Sequence, residues 1–215
     1  SPPMRRLATA LVALTFLFGC SDNPDPVTPD VADRAEAASS DAPGGQTFDP
    51  IPEVAYVGGY FGPDIAVLSV PTMEEVGRIA LPEGTPQQFA ISPDGHWMYV
   101  TQREPNGLSK IDLTTRETVE TLLFPADRDA FDLVVTNDGK RVFVTNFRAH
   151  RVMAVDAKAM EILADIPLTD DTDYVNGIAL GPGGNDVFVA SQGSGRIHVI
   201  DATELEVTAA IETGM

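Results

Sequence analysis

Thr136-Asn137-Asp138-Gly139-Lys140-Arg141-Val142-Phe143-Val144-Thr145-Asn146 is the stretch on which the fold turns. Asn137-Asp138-Gly139-Lys140 reads as a tight hairpin turn, because Gly139 can take the positive φ that such turns need. The strand that follows does not alternate. Val142, Phe143 and Val144 are apolar on successive residues. Successive strand side chains point to opposite faces, so this strand must be covered on both sides.

The same pattern returns along the chain. Tyr56-Val57-Gly58-Gly59, Tyr99-Val100-Thr101-Gln102, Phe143-Val144-Thr145-Asn146 and Phe188-Val189-Ala190-Ser191 are spaced by 99 − 56 = 43, 143 − 99 = 44 and 188 − 143 = 45 residues. Ser69, Asp112, Asp156 and Asp201 keep the same three intervals. Turns at Ser92-Pro93-Asp94-Gly95, Thr136–Gly139 and Gly181-Pro182-Gly183-Gly184 run in step with them. Three landmarks on one period identify a repeat architecture.

One period holds four strands, read in the third unit as Asp132–Val135, Arg141–Thr145, Arg151–Asp156 and Glu161–Ile166. The last strand of each unit alternates more, as in Thr118-Val119-Glu120-Thr121-Leu122, which suits an outer edge half in water. Asp112, Asp156 and Asp201 each end a strand and precede a turn. A carboxylate there accepts N–H groups two residues on, so these residues read as turn builders, as do Asp94 and Asp138. A blade held between two others covers both of its faces. The expected fold is therefore an all-β β-propeller of four-stranded antiparallel blades.

These landmarks resemble the YVTN-type β-propeller repeat family, with Phe143-Val144-Thr145-Asn146 the nearest copy of its string. The resemblance covers about Glu53 to Met215. It implies lactonase-like enzymes, surface-layer proteins and redox-associated subunits as the range of roles. Rings of this type usually have seven blades. About four are counted here, in units of about 53–80, 88–123, 131–166 and 176–211, and the first lacks its opening strand. The expectation is a sector of a longer ring. A closed four-blade ring taking its missing strand from Gly45–Pro50 is the alternative.

The first 20 residues read as an export signal. Arg5 and Arg6 precede an uncharged apolar run from Leu7 to Phe18, too short for a membrane span of about 20 residues. The run ends at Gly19-Cys20, which resembles a bacterial lipobox, so Cys20 is the expected lipidation site. It is the chain's one cysteine, which leaves no disulfide, no Cys-based metal site and no C-x-x-C-H haem attachment within the chain. Residues 21–52, rich in Pro, Asp, Ala and Ser, read as a disordered tether. The folded part would then stand outside the cytoplasm on a lipid anchor, at the outer membrane or the periplasmic face.

The net charge of −18 argues against nucleic acid as a partner, because nucleic acid needs a cationic footprint. No G-x-S-x-G elbow, P-loop, H-E-x-x-H or dinucleotide fingerprint is present, and no cofactor or metal is expected. Ligands of propellers usually meet the face made by the loops after each second strand and the crossings between blades. Arg103, Arg148, His150 and Arg196 fall in or beside the former. Asp127, Arg128, Asp129, Asp173, Tyr174 and Asn176 fall in or beside the latter. Arg103, Arg148 and Arg196 recur near one phase of the repeat. The expected binding set is Arg103, Arg148, His150, Asp173, Asn176 and Arg196, facing a protein or a small polar ligand. His96 and His198 read as structural. A non-enzymatic binding scaffold is the leading expectation. A lactonase-like hydrolase and an accessory subunit of a redox enzyme are the alternatives.

Overall fold

The computed structural model describes residues 54–58, 62–168 and 174–214. The export signal, the tether, Cys20 and Asp173 lie outside them. Every element is a strand: β1 (Val54–Gly58), β2 (Asp64–Ser69), β3 (Glu75–Ala80), β4 (Thr85–Ile91), β5 (Trp97–Arg103), β6 (Gly107–Asp112), β7 (Glu117–Leu123), β8 (Ala130–Val135), β9 (Arg141–Asn146), β10 (Arg151–Asp156), β11 (Glu161–Pro167), β12 (Val175–Leu180), β13 (Asp186–Ser191), β14 (Arg196–Asp201) and β15 (Glu206–Glu212). They pair as antiparallel meanders β1-β2-β3, β4-β5-β6-β7, β8-β9-β10-β11 and β12-β13-β14-β15. These are β-propeller blades. Three strands of the first lie among the described residues, and its β1 carries Tyr56 at the phase of Tyr99 in β5, the second position of a blade. No helix long and apolar enough to cross a membrane occurs among the described residues.

The inner strands β4, β8 and β12 lie side by side, and the sheets fan outward from them. The unbroken apolar triplets do what both-face burial requires. Met98 and Val100 pack toward the first blade with Tyr56, Ile65 and Val67, while Tyr99 packs toward the third with Val142 and Val144. Phe143 faces the fourth blade, among Val187, Val189 and Ile200. Burying each such side chain contributes about 1.5–3 kcal/mol. Phe188, the fourth-blade counterpart of Phe143, is only half-buried. On the outer strands β7 and β15 most residues meet water.

Each inner strand carries a bulge, at Pro86/Phe89, Ala130/Leu133 and Val175/Gly177. A bulge leaves backbone groups out of the ladder. In the second and third blades the threonine of the repeated string satisfies them; the fourth has Ala190 in its place. Thr101 Oγ1 accepts the Gln88 N–H at 3.1 Å and donates to the Phe131 carbonyl of the next blade at 2.7 Å. Thr145 Oγ1 accepts the Asp132 N–H at 2.9 Å and reaches the Asn176 carbonyl at 3.5 Å. Asp132 itself accepts N–H groups from Leu133 and, in the fourth blade, Ile178. Burial pushes its carboxyl above the usual range.

The turn carboxylates behave as their spacing predicts. Asp112 accepts from the N–H groups of Thr114 and Thr115, Asp156 from Lys158 and Ala159, and Asp201 from Thr203 and Glu204. These hydrogen bonds hold all three carboxyls below their ordinary value. One regularity has no signature in residue type. Met73, Arg116, Met160 and Leu205 sit at one phase of the third turn with φ of 56°, 61°, 51° and 61°. His198 is fully buried, with Nδ1 3.0 Å from Ser191 Oγ, and His96 is a turn residue edge-on to Trp97.

Candidate functional site

The chain reverses at two ends of each blade. The turns at 92–96, 136–140 and 181–185 lie at one end. The turns at 103–106, 147–150 and 192–195 lie at the other, with the crossings from one blade to the next. Between the second and third blades this second end opens into a cavity of about 370 Å³, lined by Arg103, Glu104, Asn106, Asp127, Arg128, Asp129 and Arg148.

Asn106 shapes it. Its side-chain amide donates to the Arg128 carbonyl at 2.7 Å, and its Oδ1 accepts the Ala130 N–H at 2.8 Å. One side chain of the second blade thereby holds both ends of the 128–130 segment leading into the third. Arg128, mostly buried, binds Asp127 and, at 2.7 Å, Asp165. The Asp165 carboxylate is shared, since Arg151 Nε donates to it at 2.6 Å. Burial alone would raise the Asp165 pKa. The hydrogen bonds from Arg151 and Arg128 outweigh that and hold it below the ordinary range. The Nε of Arg128 is buried and has no hydrogen-bond partner among the described residues. Arg148 meets Asp129 at 3.5 Å, but its side chain is 72% exposed. Water screens such a pair, which contributes at most about 1 kcal/mol. It can be exchanged for a contact to a ligand.

Asp129 joins this cleft to a row of rings. Its carbonyl accepts the Phe147 N–H at 2.8 Å. Phe147 lies between Phe131, at 5.3 Å between centroids, and Tyr174, at 4.9 Å and nearly parallel. Tyr174 is half exposed. Beside it, the Asn176 amide donates to Gln192 Oε1 at 3.2 Å, and the Gln192 N–H bonds the Tyr174 carbonyl.

The structure thus brings Arg103 and Arg148 to one cleft, adds Arg128 to them, and puts Asn176 at the neighbouring aromatic row. Arg196 is elsewhere. It pairs across the ladder with Ser191, as Arg151 pairs with Asn146, and it bonds Glu212 at 3.2 Å. Its repeat counterpart is therefore Arg151, not Arg148. His150 occupies a left-handed turn position, φ 54°, where the fourth blade has Gly195, φ 64°. Asn106, Phe131 and Phe147 escaped sequence reading. The signal for Phe147 was its place directly after Asn146, at the end of the repeated string.

A larger cavity, about 620 Å³, lies at the opposite end, beside Trp97, Tyr99 and Lys110. Its polar floor is committed to structure. Tyr99 Oη and Lys110 Nζ both donate to the Ala157 carbonyl, at 2.9 and 2.8 Å, and the ammonium stands 4.5 Å over the Trp97 ring. Burial lowers the Lys110 pKa. Between the third and fourth blades, Arg141 makes the equivalent contact to the carbonyls of Ala202 and Thr203. Among the described residues no group of three His, Cys, Asp or Glu side chains could hold a metal ion.

Comparison with known proteins bears on the fold. No family model matches the chain. A solved structure of Kuenenia stuttgartiensis hydrazine synthase superposes with a TM-score of 0.62 over 73% of this chain and 45% of that one, at 19% identity. Among curated proteins, antigen Lp49 of Leptospira interrogans is 25% identical over 180 residues, 73% of this chain and 38% of its own length. Hydrazine synthase subunit beta of Kuenenia stuttgartiensis is 25% identical over 64% of this chain and 42% of its length. Protein NirF of Pseudomonas aeruginosa is 29% identical over 54% and 30%. The chain is a run of β-propeller blades that spans about two fifths or less of the curated relatives it matches.

Proposed function

We propose that this chain is part of a lipid-anchored, extracytoplasmic YVTN-type propeller that works as a binding scaffold. The anchor is Cys20, and the binding face is the one bearing the Arg103–Arg128–Arg148 cleft. The observation that carries the reading is the make-up of that cleft. Three guanidiniums alternate with Glu104, Asp127 and Asp129, and the Arg148–Asp129 pair is solvent-exposed. Such a surface offers donors and acceptors together, which suits a small polar ligand or the polar rim of a protein.

Two measurements test it. Intact mass of protein from envelopes should show a diacylglycerol adduct on Cys20. Amide NMR spectra recorded with a panel of amino acids, hydroxy acids and sugars should shift residues 103–106 and 126–130. An unmodified mature N-terminus elsewhere removes the anchor, and a panel that leaves those amides still removes the cleft. The likeness to hydrazine synthase subunit beta favours a second reading, in which the same face docks on a separate redox chain.

A further inference from the structure

We infer that the aromatic row Phe131–Phe147–Tyr174, with the Asn176–Gln192 amides and Arg148 at its edges, is a subsite for a pyranose ring of a neutral saccharide. The inference rests on the loop-face reading above and names the ligand class for it.

Phe131 begins in β8, Phe147 follows β9, and Tyr174 precedes β12. The row therefore runs along the mouth of the inner strands from the third blade to the fourth. Phe131 and Phe147 are tilted by 32° at 5.3 Å, Phe147 and Tyr174 are stacked at 4.9 Å, and the row ends on Tyr174, which leaves half its surface in water. Core packing does not require that exposure. Phe131, Phe147 and Tyr174 belong to none of the three inter-blade core clusters. A ring that stacks on Tyr174 at the end of this row gains from its face, and its edge must find polar partners.

The edge partners here are two carboxamides and a guanidinium. Asn176 and Gln192 bond each other at 3.2 Å on the exposed side of the row. Between them they present N–H donors and C=O acceptors, a match for hydroxyl groups, which both donate and accept. Arg148 follows Phe147 directly, and its 72% exposed side chain can exchange the 3.5 Å contact with Asp129 for one to a ligand on the row. A purely aromatic ligand would leave the amides without a task. A polyanionic glycan would meet the field of a chain with a net charge of −18. A neutral sugar, with apolar C–H faces and a hydroxyl rim, meets neither obstacle.

The test is calorimetric titration of the full chain with maltotriose, cellotriose and chitotriose, alongside trigalacturonate and citrate. At least one neutral trisaccharide should bind. Tyr174→Ala should weaken it about tenfold or more, Tyr174→Phe should retain it, and Asn176→Ala should weaken it about three- to tenfold. Circular dichroism of Tyr174→Ala checks that the variant is folded, and the Phe variant keeps the ring in place if it is not. Citrate binding that shifts the 103–106 and 126–130 amides in NMR spectra, without any response to sugars, overturns the saccharide subsite and leaves the cleft standing. Silence toward every probe overturns both. Tighter binding of trigalacturonate than of any neutral sugar overturns the choice of ligand class.

Discussion

Thr101 Oγ1 lies 2.7 Å from the backbone carbonyl of Phe131, thirty residues on and one blade away. The same hydroxyl accepts the Gln88 N–H in its own blade, so one buried atom closes two bulges. Thr101→Val removes it with little change of shape and strands a donor and an acceptor. Stability should fall by about 1–3 kcal/mol, read from urea unfolding, and amide exchange at Gln88 should quicken. Thr101→Ser keeps the hydroxyl and should recover much of the loss.

The left-handed residues of the third turns give a paired prediction. A side chain at positive φ costs about 1–2 kcal/mol, which glycine avoids, less its own entropy cost. Met73 is 65% exposed, so Met73→Gly should stabilise by about 0.5–1 kcal/mol. Met160 has a similar φ, 51°, but is 3% exposed in the core between the second and third blades. Met160→Gly should lose about 2–4 kcal/mol, because packing outweighs strain. Thermal denaturation of the two variants should move in opposite directions.

Asp165 makes part of the stability depend on pH. Its folded pKa lies below the unfolded value of about 3.9 because Arg151 and Arg128 bind the charged form. Its contribution is complete above about pH 3.9 and is lost as pH falls through the folded value. Asp165→Asn should therefore cost about 1.5–3 kcal/mol near neutrality and progressively less in acid. Urea midpoints of both proteins between about pH 7 and pH 3 should converge. A gap that stays constant across that range would mean the carboxylate charge is not what the two arginines hold.

Arg148 separates a binding role from a neutralising one. Its exposed pair with Asp129 predicts a melting shift of under about 1 kcal/mol for Arg148→Ala, smaller still in high salt. Binding of a ligand that uses its guanidinium should weaken by about 1–3 kcal/mol. A salt-sensitive loss of stability with unchanged binding assigns Arg148 to the loop alone.

His150→Gly offers a milder probe. Gly195 already holds the same turn position with φ 64°, and both carbonyls accept the N–H that opens the next crossing, from Leu168 and Thr213. The backbone should keep its shape, so a stability loss above about 1 kcal/mol, read from urea unfolding, reports the contacts of the imidazole itself. Any change in binding then belongs to the imidazole.

Much of this fold is legible because it repeats. The strands of the third unit lie within two residues of their sequence reading, since turn glycine, apolar triplet and terminal Asp each mark a boundary. The reading of the first unit as lacking its opening strand falls before Val54, outside the described residues. The site is less legible. Arg103, Arg148 and Arg196 share a rough phase, yet a four-residue turn changes side-chain direction at every step. The three arginines occupy three different steps, and only two face the cleft. Asn106 and Phe131 gave no signal, because their roles depend on how far one sheet is rotated against the next. The intervals along a single sheet do not encode that rotation.

Most side-chain donors between blades point one way along the chain, with Thr118 to the Ala80 carbonyl the reverse case. Tyr99, Thr101, Lys110, Arg141 and Thr145 each send a side-chain donor to a backbone carbonyl made later in the chain, between 30 and 62 residues on. During synthesis these donors are made before their acceptors. A nascent second blade carries the Lys110 ammonium over the Trp97 ring with no carbonyl to receive it until residue 157 has been added. Each blade is thus a template with an open polar seat, and the arrival of its successor fills that seat.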